Sequence, residues 1–184
     1  MNQIDPDALP RAARRVLEAA RSLGLEGEVV EMPESTRTAM EAAAACGCEV
    51  AQIVKSLVFR GRRTGKPLLL LVSGANRVDE EKAAASIGEP LERPDARFVR
   101  DTTGYAIGGI PPFGHDTPVA TFMDPDLRKY DVVWTAAGTP RSTRPAQTKT
   151  APSGAGFGDH GPEASMTTRS GLQREALQHL DFLG

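Results

Sequence analysis

Hydrophobic residues recur at helical spacing near the start of the chain. Residues 6–23 place alanine, valine and leucine every three or four positions, with arginines opposite them, which predicts an amphipathic helix ended by Gly24. The hydroxyl residues of 35–38 predict the cap of a second helix over residues 39–45, ended by Gly47. The same reading predicts further helices at residues 78–88 and 95–102.

Runs of apolar residues bounded by turn residues predict strands in the rest of the chain. The predicted strands cover residues 28–32, 55–60, 67–73, 118–123 and 131–137. Residues 61–66 have hairpin-loop chemistry, and strands and short helices otherwise alternate without a regular βαβ period. The pattern therefore predicts one α/β domain of the α+β type, with a mixed, curled sheet and helices packed outside it.

A glycine- and proline-rich stretch interrupts this pattern at residues 104–115. Proline removes a backbone N–H and glycine permits close approach, so the stretch is neither a helix nor a central strand. One interpretation is a rigid turn between strands. The other is a loop whose bare N–H groups bind an oxyanion or a carboxylate.

Composition and charge fit an ordinary globular chain of 184 residues with 40% hydrophobic and 25% charged residues. The formal net charge of −2 gives no reason to expect non-specific binding of nucleic acid. No apolar run reaches membrane-spanning length, and no signal pattern opens the chain. Cys46 and Cys48 are interpreted as free thiols in a reducing compartment, so we expect a cytoplasmic protein.

The composition changes abruptly at Arg141. Residues 141–169 contain prolines, glycines, serines and threonines with almost no large apolar side chain, which predicts disorder. Leucines and an alanine near residues 171–183 predict a short helix. The expected organisation is therefore a folded domain over residues 1–140 followed by a low-complexity tail over residues 141–184.

The sequence offers three candidates for site residues: Lys55, the segment 73–77 and His115. Lys55 sits in an otherwise apolar stretch, either because its charge is used or because it reaches solvent at a strand end. Residues 73–77 form either a binding loop or a helix cap. His115 ends the glycine-rich stretch, and an isolated histidine is more often a surface residue than a catalyst. No phosphate loop, nucleophile elbow or metal cluster is present, so we expect no cofactor and no metal.

Together these pieces resemble the YbaK/ProX family of aminoacyl-tRNA deacylases, which also occur as the editing insertion of bacterial prolyl-tRNA synthetases. The resemblance covers roughly residues 30–140. It is carried in family order by Thr36-Arg37-Thr38-Ala39, residues 42–47, Gln52-Ile53-Val54-Lys55-Ser56-Leu57-Val58-Phe59, Ser73-Gly74-Ala75-Asn76-Arg77-Val78-Asp79, residues 103–114 and Val133-Trp134-Thr135-Ala136-Ala137-Gly138-Thr139-Pro140.

The resemblance implies a barrel-like mixed sheet and hydrolysis, in trans, of the ester that joins a wrong small amino acid to tRNA, often tRNA(Pro). It implies a metal-free reaction assisted by the terminal ribose of the substrate. The catalytic residues implied are Lys55, Gly108 and Gly109. The substrate-binding residues implied are Thr38, Ser56, Ser73, Gly74, Ile110, His115, Ala137, Gly138 and Thr139. The expected partner is the acceptor end of an aminoacyl-tRNA, and a synthetase partner and the oligomeric state stay open.

The ending departs from the family, whose members continue after Gly-Thr-Pro with a small apolar strand and a leucine-rich helix. We hypothesise a shifted reading frame or a replaced C-terminus, which a coding frame shared with close relatives beyond Arg141 would exclude. Two alternatives to a hydrolase therefore remain. One is a module that binds an aminoacyl end or an amino acid derivative without turnover, and the other is an inactive paralogue.

Overall fold

The computed structural model of this chain describes residues 8–32, residue 36, residues 38–148 and the backbone of residues 177–179. The helices in this part of the chain are α1 (Arg11–Ser22), α2 (Ala39–Cys46), α3 (Glu80–Ile87) and α4 (Ala96–Thr103). The strands are β1 (Val30–Glu31), β2 (Val54–Gly61), β3 (Pro67–Ser73), β4 (Leu91–Glu92), β5 (Ala120–Met123), β6 (Val132–Ala136), β7 (Ser142–Gln147) and β8 (Leu177–His179). None of the described helices combines the length and the apolar character needed to cross a membrane.

The described strands form two sheets. The five-stranded sheet has the order β4-β2-β3-β5-β8, and the three-stranded sheet has the order β1-β7-β6. Strands β2 and β3 form an antiparallel hairpin, whereas β5 pairs with β3 in parallel. The sheet is therefore mixed, and the predicted single domain of the α+β type is confirmed.

The core lies on both faces of the larger sheet, because β3 is buried along nearly its whole length. Leu69 and Leu71 face the cluster built by α1 and the segment 105–113. Leu68, Leu70 and Val72 face the second cluster, to which α3 contributes Ala83. This alternation is the period of two that a strand imposes, and it explains why the leucine run is continuous.

Local capping signals set the helix boundaries. The Thr38 side chain accepts from the Glu41 amide at 3.1 Å, and the Glu41 carboxylate accepts from the Thr38 amide at 3.3 Å, so α2 begins with a capping box. Asp95 caps α4 through the Phe98 amide at 2.7 Å. Helix α1 begins at Arg11, later than predicted, because Pro10 stands outside the helix with extended backbone dihedral angles.

The prediction that the folded domain ends at residue 140 is wrong. Strand β7 pairs with β6 along its length and with β1 at its start, so the segment 142–147 is the middle strand of the smaller sheet. The segment is polar and contains a proline, so its composition does not predict a strand; its pairing with two neighbouring strands makes it one. Residues 177–179 form a strand beside β5 instead of the predicted helix. The disorder predicted for residues 149–169 lies outside the described residues.

Candidate active site

A cavity of about 280 Å³ opens between the first half of β2, helix α2, the glycine-rich loop and the smaller sheet. Strand β4 pairs with β2 at Arg60 and Gly61, so among the described strands no partner follows the edge of β2 beside the cavity. Ile53, just before β2, forms an isolated bridge with Trp134. The side and main chains that line it are Thr36, Thr38, Ala39, Ala42, Ile53, Val54, Lys55, Ser56, Leu57, Ile107, Gly108, Ile110, Trp134, Thr135, Ala136, Thr139, Pro140, Ser142 and Thr143.

Lys55 is the charged residue among the described lining residues. Its ammonium donates to the carbonyl of Gly74 at 3.4 Å and to the carbonyl of Asn76. Burial lowers the pKa of this ammonium, Arg77 lowers it further, and Asp124 acts in the opposite direction. No carboxylate of the described chain forms an ion pair with Lys55, so its positive charge is held by the two carbonyl dipoles.

The loop that accepts from Lys55 requires glycine at position 74. A β-carbon at Gly74 would lie 2.2 Å from the carbonyl oxygen of Val50, which is closer than any side chain tolerates. The Gly74 amide donates to the Ile53 carbonyl at 2.7 Å, which fixes the loop to the start of β2. Gly74 therefore stands behind the lysine and does not line the cavity.

The two central glycines of the glycine-rich loop have different surroundings. Gly108 lines the cavity with φ of 91°, and no acceptor for its amide is found in the described part of the chain. The Gly109 amide donates to the Ala106 carbonyl at 3.0 Å, and Gly109 accepts from the Gly138 amide at 2.8 Å. Gly108 is therefore the one of the pair that can offer an N–H group to a ligand, whereas Gly109 packs against the Gly138 backbone.

Several predicted binding residues have structural positions instead. Ser73 is 1% exposed and donates its hydroxyl to Ala51, so it does not line the cavity. Ala137 is fully buried, and a β-carbon at Gly138 would lie 2.5 Å from a carbonyl oxygen of α1. His115 contacts the Pro111 carbonyl at 2.8 Å and also lies outside the lining. None of these four residues is among those that line the cavity.

Thr38, Ser56, Ile110 and Thr139 line the cavity, and their role in substrate binding stays a prediction. The Thr139 hydroxyl is 2.6 Å from the Ser142 hydroxyl, while the Ser56 hydroxyl is buried and finds no partner among the described residues. An unsatisfied buried hydroxyl at a cavity wall favours a ligand that carries a polar atom.

Sequence reasoning missed the far wall of the cavity. Ser142 and Thr143 belong to the segment predicted to be disordered, and Trp134 and Ile107 carried no polar signal. Thr135 is a polar residue that lies buried in β6, a pattern that could have indicated a site. The described lining contains no His, Cys, Asp or Glu, so chemistry here depends on hydroxyls, an ammonium and backbone amides.

Comparison with known proteins places the chain in a family. The model of the aminoacyl-tRNA editing domain matches residues 33–149, which include β7. The chain therefore belongs to the aminoacyl-tRNA editing domain family, and the resemblance to YbaK-like deacylases is confirmed.

Curated relatives match over part of their length. The uncharacterized protein YwhH of Bacillus subtilis (strain 168) is 32% identical over 119 residues, which cover 64% of this chain and 74% of YwhH. The "putative Cys-tRNA(Pro)/Cys-tRNA(Cys) deacylase EbsC" of Enterococcus faecalis (strain ATCC 700802 / V583) is 29% identical over 106 residues, or 57% of this chain and 64% of EbsC. The proline–tRNA ligase of Limosilactobacillus fermentum (strain NBRC 3956 / LMG 18251) is 30% identical over 113 residues, or 59% of this chain and 20% of the ligase.

A solved structure is more similar still. The crystal structure described as a "putative trans-editing enzyme for prolyl tRNA synthetase" is 51% identical, with a TM-score of 0.73. The match covers 77% of this chain and 90% of that one. The fold and the editing family are thus supported by sequence and by structure.

Proposed function

We propose that this chain hydrolyses the ester that joins a small amino acid to the terminal ribose of a tRNA. The observation that carries the proposal is that Lys55 and Gly108 line one cavity of about 280 Å³. An ammonium and a bare amide are the groups that stabilise a carbonyl oxygen as it gains negative charge. Membership of the editing-domain family supports the same reaction class.

The reaction proposed is the addition of water to the ester carbonyl carbon. The carbonyl oxygen becomes an oxyanion, which accepts a hydrogen bond from the Gly108 amide. The tetrahedral intermediate then collapses, the bond from carbon to the ribose oxygen breaks, and that oxygen takes the proton that the attacking water gives up. The products are the free amino acid and a tRNA with an intact terminal ribose. In this scheme the Lys55 ammonium holds the substrate and offsets the negative charge of the transition state.

We propose that the substrate itself assists the attack of water. The described lining offers no imidazole, carboxylate or thiol that could act as general base or nucleophile. The hydroxyl of the terminal ribose next to the ester is a polar group that every aminoacyl-tRNA brings with it. An aminoacyl-tRNA that lacks this ribose hydroxyl should therefore be cleaved more slowly although it still binds.

The dimensions of the cavity support a small acyl group. Ile53, Ile110 and Trp134 form apolar walls, so a larger side chain would be excluded by contact with them. A tRNA(Pro) substrate in trans is supported by the similarity to a "putative trans-editing enzyme for prolyl tRNA synthetase". A synthetase as further partner is supported by the match to a proline–tRNA ligase.

The test is a deacylation screen of the full chain against tRNA(Pro) charged with alanine, serine, cysteine, proline or phenylalanine. We expect release of one or more of the three smallest amino acids above the spontaneous rate, and no release of phenylalanine. Tight binding of the charged end without release would instead identify the non-catalytic binding module. Neither binding nor release from any of these esters would identify an inactive paralogue and contradict the proposal.

A further inference from the structure

A buried carboxylate lies behind the loop that holds Lys55. Asp124 is 0% exposed, yet it does not contact the cavity. One of its oxygens accepts from the Ser73 amide at 2.9 Å and from the Asn76 side-chain amide at 2.9 Å. The other accepts from the Asp126 amide at 2.8 Å, at the start of the 3-10 helix Pro125–Lys129. A carboxylate with this many N–H donors is satisfied without a cationic partner.

Asn76 connects this carboxylate to the lysine. Its side-chain amide nitrogen donates to Asp124 and, at 2.8 Å, to Asp126. Because both partners are acceptors, the amide has one orientation that satisfies it, and the residue cannot turn without losing both bonds. The backbone carbonyl of the same residue accepts from the Lys55 ammonium. The Asn76 carbonyl that accepts from Lys55 is therefore held in place by the hydrogen bonds from the Asn76 side chain to two carboxylates.

We propose that Asp124 and Asn76 form a positioning unit that holds the Lys55 ammonium at the wall of the cavity. This inference rests on the proposed function, because it assigns the two residues a role through Lys55 and no contact with the substrate. The pair lies 48 positions apart in the chain, and the parallel pairing of β3 with β5 brings together the ends of the strands that precede the two residues. A misplacement of the ammonium by about 1 Å can cost about a hundredfold in rate, so such a unit has a measurable effect.

The charges around Lys55 give the unit a second consequence. Burial and the exposed Arg77 both lower the pKa of the lysine, and Asp124 raises it. Asp126 is already engaged by Lys129 at 2.7 Å, so its charge is largely offset. Asp124 therefore keeps Lys55 protonated to a higher pH than burial and Arg77 alone would allow. Removal of the Asp124 charge should move the lysine titration to lower pH.

The kinetic test compares Asn76→Ala with the wild-type chain and uses Asp101→Asn as control. Asp101 is an exposed carboxylate of α4 paired with Arg97, and it forms no hydrogen bond or ion pair with Lys55, Asn76 or Asp124. We expect kcat/KM for ester cleavage to fall about tenfold or more in Asn76→Ala and to stay unchanged in the control. In a Lys55→Ala background, the Asn76→Ala change should have no further effect, because the unit acts through the lysine. Additive losses in the double variant would overturn the proposal.

A spectroscopic test does not depend on cleavage of any ester. The chain has few lysines, so the side-chain carbon and proton signals can be assigned by comparison with Lys55→Ala; the lysines are Lys55, Lys66, Lys82, Lys129 and Lys149. We expect the two ε-protons of Lys55 to be inequivalent in the wild-type chain and to merge in Asn76→Ala. In Asp124→Asn we expect the Lys55 titration at lower pH.

The outcomes of the two tests separate this inference from the proposed function. A wild-type chain that cleaves no ester contradicts the function, while inequivalent ε-protons that merge in Asn76→Ala still support the positioning unit. Signals of Lys55 that are unchanged in Asn76→Ala overturn the unit even if the wild-type chain is an active hydrolase. Asn76 is partly exposed, so its alanine variant remains informative if Asp124→Asn does not fold.

Discussion

Replacement of Arg144 by methionine should stabilise the chain, because this arginine is buried without a counterion among the described residues. The side chain is 1% exposed and lies in β7. One guanidinium nitrogen donates to the Glu26 carbonyl at 2.8 Å, and the group lies 5.5 Å from the ring of Phe113. Its Nε is buried and has no partner among the described residues. Burial removes water from the charged guanidinium and destabilises it, and for that reason its pKa is lowered.

The expected magnitude follows from these contacts. A buried donor left without an acceptor costs about 1–3 kcal/mol. Exchange of buried charged groups for well-packed apolar ones has raised stability by about 1–4 kcal/mol in other proteins. Methionine fills a similar elongated volume, and it gives up one hydrogen bond and the contact with the ring. We therefore expect a gain of about 2 kcal/mol, which corresponds to a rise of about 4–8 °C in the unfolding midpoint for a chain of this size.

The measurement is thermal unfolding of the full chain, followed by circular dichroism, with Arg14→Met as the control. Arg14 is exposed on α1, so the same chemical change there should alter the free energy of unfolding by about 0.5 kcal/mol or less. An Arg144→Met chain that unfolds at or below the wild-type temperature would refute the reasoning. It would mean that the single carbonyl contact outweighs the cost of burying the charge.

Other parts of the site give further predictions. Gly109→Ala should lower the free energy of unfolding by about 1–3 kcal/mol, because a β-carbon there would lie 2.7 Å from the backbone of Gly138; a denaturant titration with an unchanged midpoint would contradict this. Ester cleavage should decline as pH rises through the lowered pKa of Lys55, because the ammonium is the active form. Arg77→Gln should move that decline to higher pH, since Arg77 lowers the pKa; an unmoved profile, corrected for spontaneous hydrolysis, would contradict it. Burial raises the pKa of Cys46 to about 11, so iodoacetamide should modify it slowly at pH 8 in the folded chain and rapidly after unfolding; equal rates by mass spectrometry would contradict it.

Much of the fold could be predicted because its signals are local. The hydroxyl cap of α2, which Thr38 supplies, and the continuous leucine run of β3 each depend on neighbouring residues, and both appear in the structure as predicted. The placement of Lys55 and Gly108 beside one cavity came from the family resemblance and not from periodicity. Local signals could not separate Gly108 from Gly109, because the difference lies in a turn hydrogen bond to Ala106.

The remaining features depend on contacts between distant parts of the chain. Strand β7 contains Pro145 and polar residues, and only its pairing with β6 and β1 makes it a strand. The link from Asn76 to Asp124 likewise joins two segments that have no common sequence pattern. The hypothesis that the family ending is replaced from Arg141 on is not supported for residues 141–149, which the family model matches. A replaced ending beyond residue 149 stays a proposal. A coding frame shared with close relatives beyond that residue would exclude it.

The most direct test of the proposed active site is the rate of amino acid release from tRNA(Pro) charged with a small amino acid. The wild-type chain, Lys55→Ala and Lys66→Ala should be compared at equal concentration, with circular dichroism spectra to show that all three are folded. Lys66 lies in the β2–β3 hairpin loop, outside the cavity, so it controls for the loss of a lysine. We predict multiple turnovers by the wild-type chain and by Lys66→Ala, and loss of most activity in Lys55→Ala. Normal release by a folded Lys55→Ala chain would contradict the assignment of this cavity as the active site.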